Sequence, residues 1–499
     1  MRVVFLYPQW TGEYGLFGHF AKRNSTWPPL NIALLAAIVE QHGHEVIIVD
    51  AEAEGMNANE LAQHALTLNP DIIALTCYSP FFHLSADVAQ GLKHLKAKVP
   101  IVIGGTHITI KREEAFLPQF DYAFVGESEK SFAEFLDTFA KKGDLSKVKG
   151  FFYREGDQVK YTGDPDPLTT EVAKGSELGN NSYPLDKFPF PARHLLNMKR
   201  YRLGTMHGRK FFTSIQTMRG CPWACIFCAS KALQTQRVVM RSPRSVVNEM
   251  MSVVEKYPFL NHFYIVDDVL TLWKDHVVEM CDLINKEKLK ITFEGSTRAN
   301  LVDDELVKYL AESGLIRLSF GLETVDTEMR ATMKKKVPLE FYSQANKICE
   351  KHKVEAMNSV MIGLPGETRE TVRKTLTWLR NAREVKQANF AIAIPYPGTE
   401  FNDIATSGQH GVQLLSKDFS KYLRYGNAVT QIGDLTSKDL IELQNEGFVS
   451  IYSAPWRWKP MFQKHGVIGA FLMLVRVARL WIQKSLRILM PFRVHPGLP

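Results

Sequence analysis

Three cysteines carry the most specific chemistry in this chain. Cys221, Cys225 and Cys228 fall in the run Cys221-Pro-Trp-Ala-Cys225-Ile-Phe-Cys228, directly after Arg219-Gly220. A C-x-x-x-C-x-x-C spacing sets three thiolates on one tight loop. That is enough to hold three irons of a four-iron, four-sulfur cluster, where a full protein shell takes four cysteines. The remaining iron is left open, as catalytic metal centres require. Zinc is the competing reading, but zinc sites usually show two C-x-x-C pairs or close histidines, and no second pair is present.

The elements that must position this loop can be read around it. Between about residues 211 and 415 six strand-helix pairs alternate, with strands expected at 212–217, 263–266, 291–294, 316–320, 356–362 and 388–394 and helices such as 245–256, 303–313 and 368–380 between them. The pattern predicts a partial (β/α)6, TIM-like barrel with its chemistry at the carboxyl ends of the strands. The cysteine loop follows the first strand. Polar residues collect at the other ends: Asp267-Asp268, Arg298, Gly321-Leu322-Glu323, Asn358 on the fifth strand and Gly363 after it. Arg298 suits a carboxylate ligand and Glu323 an ammonium or hydroxyl. Asp267 and Asp268 read equally as catalytic candidates or as a helix N-cap pair.

Residues 1–142 show a second alternation of short apolar runs and helical stretches. It predicts a doubly wound parallel sheet, Rossmann-like, whose ligand site lies at the strand ends. Thr76, Ser79, Gly104, Gly105, Gly126 and Glu127 gather there. No G-x-G-x-x-G follows the first strand, which argues against a nicotinamide site. His107 reads as a satisfied loop histidine. Residues 143–210 read as a connector, with a hairpin at 151–161 and the extended stretch Phe188-Pro189-Phe190-Pro191.

Net charge is +8 over 499 residues, too modest to imply nucleic acid. Cys77, Cys281 and Cys349 are scattered in apolar segments and read as buried thiols, which fits a reducing cytoplasm. The tail, 416–499, reads as a mainly helical extension. In it Arg476, Arg479, Lys484 and Arg487 share one arc of a helix over 462–490, consistent with peripheral contact with a membrane surface or with ordinary packing on the barrel.

The cysteine loop, with Phe227 before its last cysteine, resembles the signature of the radical S-adenosylmethionine superfamily. The first segment resembles the cobalamin-binding domain that precedes the cluster domain in many of these enzymes, through Pro28-Pro29-Leu30, Gly43-His44, Gly104-Gly105-x-His107 and Gly126-Glu127. The D-x-H-x-x-G cobalt-ligand motif is absent, which leaves the lower axial ligand open. The resemblance implies a [4Fe-4S] cluster on Cys221, Cys225 and Cys228, with S-adenosylmethionine beside Phe227, Arg298, Gly321, Glu323, Asn358 and Gly363. It implies cobalamin at Thr76, Ser79, Gly104, Gly105, Gly126 and Glu127, and an electron donor such as flavodoxin or ferredoxin. The activity it implies is radical functionalisation of an unactivated carbon in a small molecule, a lipid or pigment among the candidates. Methyl transfer is the first reading and oxidation or ring formation the second. A methylthiotransferase acting on RNA would carry a second N-terminal cysteine triad, absent here. A non-catalytic cobalamin- or metal-binding module is disfavoured by the ordered strand-end residues.

Overall fold

A computed structural model describes residues 1–14, 25–167, 183–205, 208–234, 237–459, 462, 466 and 467. The basic helix expected over 462–490 lies almost wholly outside these residues. Among the described residues no helix is long and apolar enough to cross a membrane.

The strands, in chain order, are β1 (Arg2–Tyr7), β2 (Ser25–Thr26), β3 (Glu45–Asp50), β4 (Ile72–Cys77), β5 (Ile101–Gly105), β6 (Tyr122–Phe124), β7 (Phe151–Glu155) and β8 (Gln158–Tyr161). They continue as β9 (Arg202–Thr205), β10 (Gly208–Ile215), β11 (Met218–Arg219), β12 (Val239–Met240), β13 (His262–Ile265), β14 (Thr292–Thr297), β15 (Leu315–Glu323), β16 (Glu355–Ile362) and β17 (Gln387–Ile392).

The first sheet has the order β3-β1-β4-β5-β6-β7-β8. Its first five strands are parallel, with helices such as Leu30–Gln41, Phe82–His94 and Glu129–Ala140 between them. The order reverses between β1 and β4, so the ligand crevice is expected outside the ends of those strands. Alternation along β1 splits its side chains between two cores. Val4 and Leu6 pack with Leu61, Val88 and Leu92. Val3 and Phe5 face the opposite side, in a core continuous with that of the second sheet. The 151–161 hairpin, assigned from sequence to the connector, instead completes this sheet by antiparallel pairing with β6. Phe151 drives the pairing: it is fully buried and stacks on Phe124 at 5.1 Å.

The second sheet runs β17-β16-β15-β14-β13-β10-β9-β2. The six strands β10 and β13–β17 are parallel, as the partial barrel requires, and β9 and β2 extend one edge antiparallel. β2 is a crossover from the first segment that sequence reading missed, since two residues give no periodicity. Ionic pairs plug the amino-terminal end of the barrel. Glu294 accepts from Arg317 at 2.5 Å and bonds the His262 ring at 2.9 Å, and Arg317 also pairs with Glu355 at 3.0 Å. The open end is therefore the carboxyl end.

Helix entries follow the sequence. Ser242 caps Pro243–Lys256, Asp303 caps Asp304–Glu312 and Thr368 forms a capping box on Arg369–Asn381. The start of the tail is not purely helical: Val412–Leu414 and Thr430–Ile432 form a small ribbon before the helix Ser437–Tyr452, which packs on β17. There the Tyr452 hydroxyl donates to the Ala388 carbonyl at 2.9 Å.

Candidate active site

Gly220 precedes the cysteine loop at φ +103°, and any Cβ there would collide with the Arg237 carbonyl. The loop can start where it does only with glycine at this position. Ile226 fastens its middle: its amide donates to Met333 O at 3.3 Å and its carbonyl accepts from the Phe401 amide at 2.9 Å. Ile226 is buried while the three thiols are half-buried. With the apolar residue anchored inside, the three cysteines stay at the partly exposed side of the loop. Phe227 packs partly buried against the core rather than standing free. Among the described residues no three His, Cys, Asp or Glu side chains converge on one ion position.

The two aspartates divide. Asp267 is buried and its oxygens accept from the Thr217 amide at 2.8 Å, the Met218 amide at 3.1 Å and the Thr217 hydroxyl. It ties the end of β13 to the strand end that feeds the cysteine loop, and burial pushes its carboxyl up to about 6. The Asp268 carboxylate accepts from Ser230 Oγ at 3.1 Å, and that hydroxyl lies 3.3 Å from Cys228 Sγ. Neither caps the next helix, whose N-cap is Trp273. Asp268 therefore stands one hydroxyl away from the third thiol.

Across the loop, β15 ends in a bulge at Gly321/Glu323, and Glu323 adopts φ +60°, a conformation disfavoured for a side-chain-bearing residue. The bulge turns its carboxylate onto Lys335 Nζ at 2.7 Å, directly over Gly321, whose carbonyl accepts from the Tyr342 hydroxyl at 2.7 Å. Burial raises the Cys225 thiol's pKa, opposed by the charges of Lys335 and Arg298. Arg298 stacks on Trp223 of the cysteine loop at 4.1 Å, and its buried Nε has no hydrogen-bond partner among the described residues. Arg298, Glu323 and Lys335 thus surround the loop with two cations and one anion, one donor still unused. That set matches an α-amino acid: ammonium to Glu323, carboxylate to Arg298 and Lys335. The methionine end of S-adenosylmethionine fits it. Sequence reading passed over Lys335, since nothing in its spacing separates it from Lys334, which pairs with Glu400.

Asn358 does not join this group. It is fully buried and exchanges hydrogen bonds of 3.1 and 2.9 Å with Asn346 on the helix Leu339–Lys351. Strand alternation is the reason: along β16 it is Met357, Ser359 and Met361 that are half-exposed, so position 358 points outward. Gly363 has φ +94° and donates its amide to buried Glu367 at 2.5 Å, which organises the turn after β16.

A cavity of about 540 Å³ lies between the two sheets. Thr76, Gly104, Gly105, Gly126 and Glu127 line it; Ser79 does not, because its hydroxyl bonds the His107 ring at 3.0 Å. His107 is sandwiched near Phe82 and Phe419, and burial lowers its pKa to about 4. Gly105, at φ +114°, lies so close to β4 that a Cβ would strike the Cys77 carbonyl. Apolar Phe5, Ala74, Val102 and Phe132 line it together with Thr76, Thr106 and Thr109. Gln234, just after the cysteine loop, lines it with a buried Oε1 that has no partner among the described residues. An amide-rich ligand with an apolar body, such as cobalamin, fits these donors and acceptors. The cavity is joined to the cysteine loop by Arg219, which pairs with Glu129 at 2.6 Å and Glu127 at 3.2 Å.

Comparison with known proteins agrees with this division. The model of the Radical SAM superfamily matches residues 215–379, and that of the B12 binding domain matches residues 19–136. A protein of Pyrococcus horikoshii described as an uncharacterized methyltransferase is 29% identical, over 89% of this chain and 92% of its own. The anaerobic magnesium-protoporphyrin IX monomethyl ester cyclase of Rubrivivax gelatinosus is 25% identical over 89% of this chain and 75% of its own. The cytidylyl-2-hydroxyethylphosphonate methyltransferase of Streptomyces wedmorensis is 26% identical over 80% of each. Among solved structures, the radical S-adenosylmethionine methyltransferase TsrM from Kitasatospora setae, with cobalamin and a [4Fe-4S] cluster bound, superposes with a TM-score of 0.69. The match covers 97% of this chain and 99% of that one at 16% identity, which establishes a shared fold.

Proposed function

We propose that this chain, which belongs to the cobalamin-dependent radical S-adenosylmethionine enzymes, transfers a methyl group to an unactivated carbon of a small molecule. When bound, the cluster, S-adenosylmethionine and cobalamin supply radical generation and methyl donation. The protein's part is to hold them in register. Cys221, Cys225 and Cys228 hold the cluster, and Arg298, Glu323 and Lys335 orient the amino acid end of S-adenosylmethionine. Thr76, Gly104, Gly105, Gly126 and Gln234 line the cobalamin cavity.

The observation that carries this reading is Arg219. It reaches from the residue pair before Cys221 to Glu127 and Glu129 at the first sheet's turn. The cobalamin cavity and the S-adenosylmethionine residues therefore flank one cysteine loop, as a reaction using both requires. An electron donor of the flavodoxin or ferredoxin class completes the reading.

The test is product analysis on anaerobic, reconstituted enzyme with reductant, hydroxocobalamin and a cell extract as substrate source. Matched 5′-deoxyadenosine and S-adenosylhomocysteine, both dependent on cobalamin and extract, are expected. Extract-dependent deoxyadenosine without S-adenosylhomocysteine would instead assign oxidation or ring formation.

A further inference from the structure

We propose that this enzyme docks on an anionic lipid surface through its basic carboxyl-terminal segment, residues 447–499, with the indoles of Trp456 and Trp458 entering the headgroup layer. This surface is independent of the reaction proposed above: it sets where the enzyme works, not what it makes.

The net charge of the chain lies entirely in that segment. Residues 447–499 contain eight of the 61 lysines and arginines and none of the 53 aspartates and glutamates. The remaining residues therefore balance at 53 of each sign, and the whole net charge of +8 belongs to the segment. The body offers no net acid to neutralise it, and the segment has no carboxylate of its own. Its cations are interleaved with bulky apolar residues, among them Phe471, Trp481 and Phe492. That composition suits an anionic bilayer surface, where cations meet the headgroups and apolar side chains enter the acyl boundary. Nucleic acid would take the cations but leave the apolar side chains in water.

The described residues show how the segment leaves the barrel. The turn Pro455–Arg457 follows the helix Ser437–Tyr452. Arg457 is buried, and no carboxylate pairs with it among the described residues. Its guanidinium donates instead to the carbonyls of Leu379, Arg380 at 3.4 Å and Ala382 at 3.0 Å, at the end of the helix Arg369–Asn381. It also donates to Val385 O at 2.9 Å, just before β17. A cation on the last carbonyls of a helix is favourable, so the clamp is firm.

With Arg457 turned inward, its neighbours on either side face out. Trp456 and Trp458 are 43% and 39% exposed. The Trp458 indole N–H donates to Tyr452 O at 3.2 Å, and the Arg383 guanidinium lies 5.6 Å from the Trp456 ring centroid. Indoles with an apolar body and a polar edge settle at a membrane–water interface. Around them Arg380, Arg383 and Lys459 are exposed, and none pairs with a carboxylate among the described residues. Rings and cations thus share one patch, continuous in sequence with the acid-free segment. The patch lies at the amino-terminal end of β17, the end that the ionic pairs plug, so docking leaves the open carboxyl end of the barrel free.

Cosedimentation of anaerobic, cluster-loaded full-length protein with lipid vesicles tests the surface. Vesicles of equal parts phosphatidylglycerol and phosphatidylcholine should bind at least about tenfold more tightly than phosphatidylcholine alone, and added salt should weaken the binding. Arg476→Gln, Arg479→Gln, Lys484→Gln and Arg487→Gln, combined in one variant, should weaken it by about tenfold or more. Trp456→Ala with Trp458→Ala should weaken it several-fold. Lys141→Gln, Lys142→Gln, Lys308→Gln and Lys353→Gln remove the same charge from exposed positions on the body and should leave binding unchanged. Hydroxocobalamin binding reports that each variant is folded; if the tryptophan or the tail variant loses it, the other carries the comparison. Equal binding to the two vesicle types, undiminished binding by the folded tail variant, an equal loss in the body variant, or binding of a DNA duplex as tight as that of the anionic vesicles would each overturn the proposal.

Discussion

Lys335 tests the amino acid site at the scale of single residues. Its ammonium sits between the Glu323 carboxylate and the cysteine loop, and Glu323 holds its pKa up against burial. Lys335→Met leaves Glu323 without its cation and removes a carboxylate ligand. We expect affinity for S-adenosylmethionine, measured by equilibrium binding, to fall by about tenfold or more, the worth of one charge-assisted hydrogen bond. Unchanged affinity would detach Lys335 from the site. Glu367 makes a separate prediction about pH. Burial raises its carboxyl to about 7 although the Gly363 and Leu364 amides favour the anion. Its folded pKa lies above the unfolded value, so the folded state holds the proton more tightly. Stability then falls as pH rises from about 4.5 to about 7, by roughly 3 kcal/mol at most. Glu367→Gln keeps an acceptor for the Gly363 amide and cannot ionise. Its unfolding midpoint, followed from pH 5 to 8, should lose this slope and match or exceed the wild type at pH 8.

Close approach of two strands decides the matter at the scale of elements. β4 and β5 run parallel with Cys77 opposite Gly105, and the backbone there leaves no volume for a methyl group. Gly105→Ala adds both a clash and an unfavourable positive φ. A loss of about 2–4 kcal/mol in denaturant unfolding is expected, with weakened hydroxocobalamin binding because Gly105 lines the cavity. Wild-type stability in this variant would mean the strands can part without cost. The same pair of strands shows what the sequence reveals. Ile72–Cys77 and Ile101–Gly105 are legible because β-branched apolar runs end in small residues, and the six barrel strands are legible for the same reason. The cysteine loop is legible because its spacing has few uses. Asn358 was misplaced because a strand's facing depends on register, which single-strand composition does not carry. Ile226 acts through Met333 and Phe401, more than 100 residues away in sequence, and Lys335 reaches Glu323 from anonymous surroundings, so no local pattern marks either.

Whether the two sheets behave as one body is a question for the whole molecule. Sequence boundaries suggest separable units, but several contacts cross between them. One face of the first sheet shares its apolar core with the barrel, and β2 leaves the first segment to pair with β9. Arg193, in the connecting stretch, pairs with Glu249 at 2.6 Å beneath the barrel while Arg219 pairs with the first sheet's acidic turn. A buried pair broken on one side costs several kcal/mol, so separating the sheets is expensive even before apolar exposure. The full chain should therefore unfold in one transition. Hydroxocobalamin at a hundred times its dissociation constant contributes about 2.7 kcal/mol. Spread over the unfolding entropy of all 499 residues, that raises the midpoint by only roughly 2–3 °C. Were the first sheet to melt alone, the same ligand would raise a separate early transition by roughly 8 °C and leave the later one unmoved. Calorimetry with and without hydroxocobalamin separates these outcomes. Arg219→Gln should move the protein toward the second by cutting the link beside the cluster. Two transitions in the wild type would show that the cobalamin cavity is assembled by docking of independent domains rather than by a single fold.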